Sequence, residues 1–226
     1  MSMLSVKTYR LLSLLVLLLP ATVTAQPKMF QLERDSVPLF RGFTIMADLV
    51  GAAQMQLSDY GQLEGALRLN LHDQWFPVVE LGYGRADHKN DEVTGISYKT
   101  QSPFFRVGCD FNLLKKKHSP YLLYIGLRYA FTSYKVTMER QNFVDPVWLW
   151  DTGYGVVDEP CSLHWAELTF GLDARVFGPV RLGWSARYRR RIYRNEGVMD
   201  NAWYVPGYGI SGSSRLGAMF NIGIEL

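Results

Sequence analysis

From residue 40 to residue 226, apolar and polar residues alternate in eight stretches of about ten residues each. Residues 61–72 show the pattern best. Leu63, Gly65, Leu67, Leu69 and Leu71 fall on one face, and Gln62, Glu64, Arg68, Asn70 and His72 on the other. A period of two means a β-strand with one apolar face. The alternation predicts strands over 40–51, 61–72, 76–86, 103–114, 121–132, 164–177, 180–189 and 214–226. The connections after the second, fourth and sixth strands are short. Those after the third, fifth and seventh (87–102, 133–163 and 190–213) are long, and a moderate one covers 52–60. Ten residues at about 3.3 Å each, tilted near 40°, rise about 25 Å, the height of the apolar band of an outer-membrane barrel. Short turns on one rim and long loops on the other follow the same plan, with an even strand count leaving both chain ends on the periplasmic side. The prediction is an all-β, antiparallel up-and-down transmembrane barrel of eight strands.

Alternation alone leaves open a water-soluble eight-stranded barrel with an apolar interior, and the composition of the two faces decides between them. The apolar face carries many large residues, among them Phe43, Leu81, Phe105, Phe131, Phe170 and Trp184, more than a narrow interior holds. The polar face uses Arg68, Arg106, Arg128, Arg175, Arg181, Arg187, Arg189 and Arg215 and almost no Lys. Its carboxylates are Asp48, Glu64, Glu80, Asp110, Glu167, Asp173 and Glu225, and most strand glycines sit beside them. Arginine suits buried, multiply hydrogen-bonded pairing. An Arg facing lipid costs about 2–4 kcal/mol at mid-bilayer, so eight of them must point inward. The expectation is an interlocked charge network and no open channel.

The start of the chain fits export. Lys7 and Arg10 precede an apolar run over 11–19 and a small-residue site, Val23-Thr24-Ala25, the pattern of a signal peptide cut after residue 25. The expected layout is a signal peptide over 1–25, a periplasmic lead-in over 26–39 and the barrel over 40–226. Without Lys7 and Arg10 the formal charge falls from +3 to +1, which gives no support for nucleic-acid binding. Cys109 and Cys161, read as a strand filler and a loop thiol, suggest no disulfide framework.

Several segments then acquire a family look: Asp59-Tyr60-Gly61, Glu80-Leu81-Gly82-Tyr83-Gly84, Cys109-Asp110-Phe111-Asn112, Gly126-Leu127-Arg128-Tyr129, Asp145-Pro146-Val147-Trp148, His164-Trp165 and Trp203-Tyr204-Val205-Pro206-Gly207-Tyr208-Gly209. Together they resemble a family of outer-membrane barrels from Bacteroidota, over nearly the whole mature chain. More distantly the chain is similar to small porin-like and OmpA/OmpX-type barrels. The resemblance implies compartment and fold, and it transfers no activity.

Chemistry is sparse. A deacylase-like enzyme needs a Ser–His–acid set at the outer rim. His88 and His164 are placed there with several loop serines, but no motif joins them. Asp87, His88, Asp91 and Glu92 cluster at the exit of the third strand, in a spacing that matches no metal-ligand pattern. No catalytic residue, metal or cofactor is assigned. The long loops are the informative remainder, rich in aromatic residues and proline: Trp148, Trp150 and Tyr154 in one, Trp203, Tyr204 and Tyr208 in the other. They are either a self-packed cap over the barrel mouth or a surface for a ligand or an envelope protein partner. The expectation is a non-enzymatic barrel in contact with outer-membrane lipid and acting through these loops. A lipid-modifying enzyme and a narrow pore are the alternatives.

Overall fold

The computed structural model describes residues 37–89, 91, 95–144, 151–195, 197 and 202–226, with backbone alone at 141–144 and 151–154. The expected signal peptide and most of the lead-in lie outside the described residues. The strands are β1 (Phe40–Asp48), β2 (Tyr60–Leu71), β3 (Trp75–His88), β4 (Ile96–Asn112), β5 (Tyr121–Val144), β6 (Asp151–Phe177) and β7 (Val180–Asn195). A miniature hairpin, β8 (Tyr204–Val205) and β9 (Gly209–Ile210), precedes the last strand, β10 (Ser214–Glu225). Eight of these, β1 to β7 and β10, form one antiparallel ring in which each strand pairs with its sequence neighbour and β1 closes on β10.

Over the inner part of the ring, charged residues fill the inside together with a few apolar ones such as Phe76, Val78 and Leu122, and the outside is apolar. Arg106 and Asp110 are fully buried on β4, while Leu81, Leu127 and Leu216 stand 62, 68 and 81% exposed. This is the reverse of a water-soluble protein.

At the outer end the polarity inverts. Inside, Tyr98, Phe104, Tyr134, Val136, Leu163 and Trp165 form an apolar core. On the outward face of the same strands, Phe131 gives way to Ser133 and Lys135, and Pro103 to Gln101 and Lys99. This corrects two expectations. The interior is not charged along its whole height. Much of the stretches expected as loops over 87–102 and 133–163 is strand, with β5 running to Val144 and β6 starting at Asp151. The period-two pattern continues there with its faces exchanged. Once a hairpin leaves the apolar belt it stands in water, and it needs an ordinary hydrophobic inside. The twelve residues of β5 beyond position 132 project roughly 30 Å at the same tilt. Cys161 is therefore buried in β6 and not in a loop. Both cysteines are thiols.

The other departure is at β1, expected to run to residue 51. It ends at Asp48, whose carboxylate accepts the N–H groups of Val50 (3.2 Å) and Gly51 (2.8 Å) and so caps helix α1, Leu49–Leu57. An aspartate at this position satisfies donors that a helix start leaves unpaired. β1 pairs with β10 only over residues 44–48, and α1 contacts both β2 and β10 beyond that point. The glycine at 61 permits this, because a Cβ there would collide with Met55. The structure thus removes Asp48 from the expected charge network: its partners are backbone amides, including that of Phe220 at 3.3 Å.

Candidate functional site

The lumen is built from inward positions of β2 to β7, which the register sets side by side. Arg106 lies opposite Glu80, and Glu167 opposite both Arg128 and Arg189. Cross-strand neighbours of opposite charge are the simplest unit of such a network. Glu80 is its centre. It accepts hydrogen bonds from both terminal nitrogens of Arg187 (2.7 and 3.0 Å) and from Arg106 Nη1 (3.1 Å), and Arg128 Nε lies 2.8 Å away as an ion-pair contact. Arg106 also contacts Glu64 and lies 3.0 Å from Glu167. Toward the periplasmic end, Asp110 bridges Arg128 (3.1 Å) and Arg68 (3.3 Å). Arg68 reaches Asp173 at 3.1 Å, and Asp173 reaches Arg181 at 2.5 Å. Arg181 and Arg175 then meet on Glu225 at 2.9 and 2.7 Å. Ion pairs therefore run without a break from one rim to the middle of the barrel.

Close packing accompanies the pairing. A Cβ at position 126 would overlap the Asp110 carboxylate, and one at 171 would overlap the Tyr124 ring, over which the Arg68 guanidinium sits at 4.7 Å. The space left among Glu64, Arg68, Glu80, Arg128 and Arg187 is about 10 Å³. That is at the lower limit for a single water, so little room is left among these five side chains.

Above the charges, residues 202–213 fold into the mouth as a plug. Val205-Pro206-Gly207-Tyr208 makes a turn closed by Tyr208 N–H to Val205 O at 3.1 Å, with Gly207 at φ +80°. Proline followed by a left-handed glycine is what such a turn requires. Arginines of the wall donate to the plug's carbonyls: Arg106 to Gly207 (2.8 Å), Arg189 to Tyr208 (2.9 Å), and Arg215 to Ile210 (2.7 Å) and Ser211 (2.6 Å). Tyr98 donates to Tyr204 O at 2.6 Å, and Tyr204 donates to Gly61 O at 3.2 Å. Burial pushes the Tyr204 hydroxyl up to about 12, so it is a donor at any physiological pH. Gly84 leaves room for Pro206, which a Cβ there would meet at 2.9 Å.

The structure thus brings together most of the expected interior set: Glu64, Arg68, Glu80, Arg106, Asp110, Arg128, Glu167, Asp173, Arg181 and Arg187. Arg175 is half exposed at the rim, although it is still paired, and Arg215 serves the plug in place of the carboxylates. Among the loop residues, Tyr204 and Tyr208 are buried in the lumen, which takes them out of an outer binding surface. Pro206-Gly207 forces the chain back on itself, and bare arginine donors below supply the hydrogen bonds that water supplies to an outward loop. Trp203 is half-buried, edge-on to Tyr60 at 5.6 Å and Tyr98 at 5.7 Å. Trp148 and Trp150, and the side chain of Tyr154, lie outside the described residues, as does Glu92 of the rim cluster. His88 contacts Asp59 at 2.9 Å and Asp91 at 3.6 Å. Among the described residues, no group of three or more His, Cys, Asp or Glu side chains is arranged to hold a metal ion. His164 Nδ1 lies 2.6 Å from the Tyr129 hydroxyl.

Residues 6–225 match the family model described as Domain of unknown function (DUF6048). No curated protein matches the chain. Solved structures similar to it include the following three. The crystal structure of Neisserial surface protein A (NspA) is 12% identical with a TM-score of 0.42, over 83% of this chain and 99% of that one. A major outer membrane protein from Thermus thermophilus is 14% identical with a TM-score of 0.40, over 82% and 98%. Ail, the attachment invasion locus protein of Yersinia pestis, solved with the heparin analogue sucrose octasulfate, is 10% identical with a TM-score of 0.37, over 81% and 93%.

Proposed function

The chain belongs to the DUF6048 family, and we propose that it is a non-enzymatic barrel of the bacterial outer membrane that serves as a structural or partner-binding component of the cell envelope. One observation carries the proposal: the apolar exterior and ion-paired interior of the belt exchange places at a single level near the outer end. Lipid is the solvent that suits the lower part, and water suits the upper. The boundary is marked by Tyr83, Phe131 and His164 on the outward face, amphipathic or aromatic residues of the kind that anchor a barrel at an interface. The plug and the charges beneath it argue for no transport role.

The binding surface in this proposal is not the aromatic pair buried in the plug but the polar outward face of β3–β6. There Lys99, Lys135, Asp87, Glu139 and Asp158 line a concave region of about 910 Å³. Outer-membrane lipid surrounds the belt, and an envelope protein is the partner for the projecting face.

The test is a pair of measurements. Lipid-A mass spectra from a deletion strain are expected to match the parent strain, and the purified barrel is expected to give no step conductance in planar bilayers. A mass shift of one acyl chain would establish the lipid-modifying alternative, and discrete channel steps would establish the pore.

A further inference from the structure

At the end of the barrel that holds the short turns, the lumen opens into a polar cavity of about 220 Å³. We propose that this inner mouth is a binding site for a compact phosphate-bearing anion. The proposal rests on the periplasmic orientation of the short turns for its compartment, and on the geometry alone for its chemistry.

Arg41, Arg68, Lys117, Arg175 and Arg181 line the cavity together with His118, and the carboxylates among them are Asp73 and Glu225. Each carboxylate is already shared. Glu225 Oε2 takes both Arg175 (2.7 Å) and Arg181 (2.9 Å). Asp73 Oδ2 takes Arg41 and also His118 Nδ1 at 2.5 Å. Asp173, behind the wall, adds one more negative charge, split between Arg68 and Arg181. Among the described residues, five permanent cations thus face Asp73, Glu225, Asp173 and Asp110, the last shared between Arg68 and Arg128, which leaves a surplus of positive charge. Higher in the lumen the same residue types are nearly balanced.

The surplus also has spare hydrogen-bonding capacity. An arginine carries five N–H donors and a lysine three. The described partner of Lys117 is one amide oxygen, on Gln74 at 2.9 Å. Arg175 and Arg41 line the cavity and are 47 and 37% exposed. Deeper in, Arg68 is 4% exposed and its Nε has no hydrogen-bond acceptor among the described residues. Asn70 and Asn112 hold the turn that carries Asp73, through Asp73 Oδ1 (2.6 Å) and Asp73 O (2.8 Å). The cationic walls are therefore placed by a built turn.

A phosphate monoester answers each of these features. It carries close to two negative charges at neutral pH and accepts the forked donors of arginine. The cavity is smaller than those of drug-sized ligands, which limits the occupant to a headgroup-sized anion. Two sources share this chemistry, a soluble phosphomonoester and the monoester headgroup of phosphatidic acid from the adjoining leaflet.

The experiment is calorimetric titration of the folded full-length barrel in maltoside micelles. One arm uses glycerol phosphate, and the other uses phosphatidic acid introduced in mixed micelles. Saturable one-to-one binding is expected. It should weaken about tenfold or more in the Lys117→Gln, Arg175→Gln double variant and stay unchanged in Lys99→Gln, Lys135→Gln at the opposite end. Heat-modifiable gel mobility checks folding, and Arg41→Gln alone provides a second rim variant. Binding of glycerol phosphate identifies a soluble source, and binding in the lipid arm alone identifies a headgroup. No saturable binding in either arm, or equal affinity in the rim variants and the wild type, overturns the site.

Discussion

Arg106 is the most heavily engaged side chain of the lumen, touching Glu64, Glu80 and Glu167 and donating to a plug carbonyl. Replacing an ion pair of this kind by well-packed apolar groups is often neutral, whereas removing one partner strands the others. Arg106→Gln is therefore expected to cost about 3–5 kcal/mol, seen as a lower urea midpoint for the barrel in micelles. Arg175→Gln, at the half-exposed rim, should cost less than about 1 kcal/mol. Equal midpoints for the two variants would contradict a buried network. These residues were legible in the sequence because lipid cannot solvate a guanidinium, so a strand face with Arg and without Lys has to be interior. Asp48 was not legible in the same way. Its alternation matches the charged face, but the next five residues are Leu-Val-Gly-Ala-Ala, a run that begins a helix, and the carboxylate serves as its cap.

The plug shows how an element can reverse the meaning of its own residues. In sequence Tyr204 and Tyr208 fit either a cap over the mouth or an exposed binding surface. The contacts that bury them are with Gly61, Tyr98, Trp165 and Arg189, remote in the chain, and no local pattern announces them. Pro206-Gly207 announces a tight turn but not its direction. The same difficulty hid the upper halves of β5 and β6. Their alternation is intact, but the apolar outside that gives it meaning lower down no longer exists there. The plug carries a pH signature. The Tyr204 hydroxyl is raised to about 12 by burial, against about 10 in an unfolded chain. Its contribution to stability is thus fully present below pH 10 and is lost as the pH rises toward 12. The urea midpoint of the wild type is expected to fall across that window by more than that of Tyr204→Phe. Parallel declines would show that the hydroxyl is not held as a buried donor.

The molecule as a whole is one sheet that is turned inside out at a fixed height. Below that height it resembles a protein dissolved in hydrocarbon with its charges folded away, and above it a small soluble β-structure with an aromatic core. The change in polarity is distributed over β3, β4, β5 and β6 at matching register, through Tyr83, Pro103, Phe131 and His164. This matching makes it a property of the fold and not of any one strand. It also explains why fold class and charge network could be argued from sequence, whereas the projecting hairpins could not and the aromatic loop in sequence fits either a cap or a binding surface. The first two follow from a single solvent rule, and the last two from where that rule stops. Spin labels placed one at a time at Ile125, Leu127, Tyr129, Phe131, Ser133 and Lys135 in lipid bilayers test this directly. Collisions with oxygen, which concentrates in lipid, should dominate from 125 to 131, and collisions with a water-soluble nickel complex should dominate at 133 and 135. Nickel accessibility at Ile125 and Leu127 equal to that at Lys135 would contradict the account.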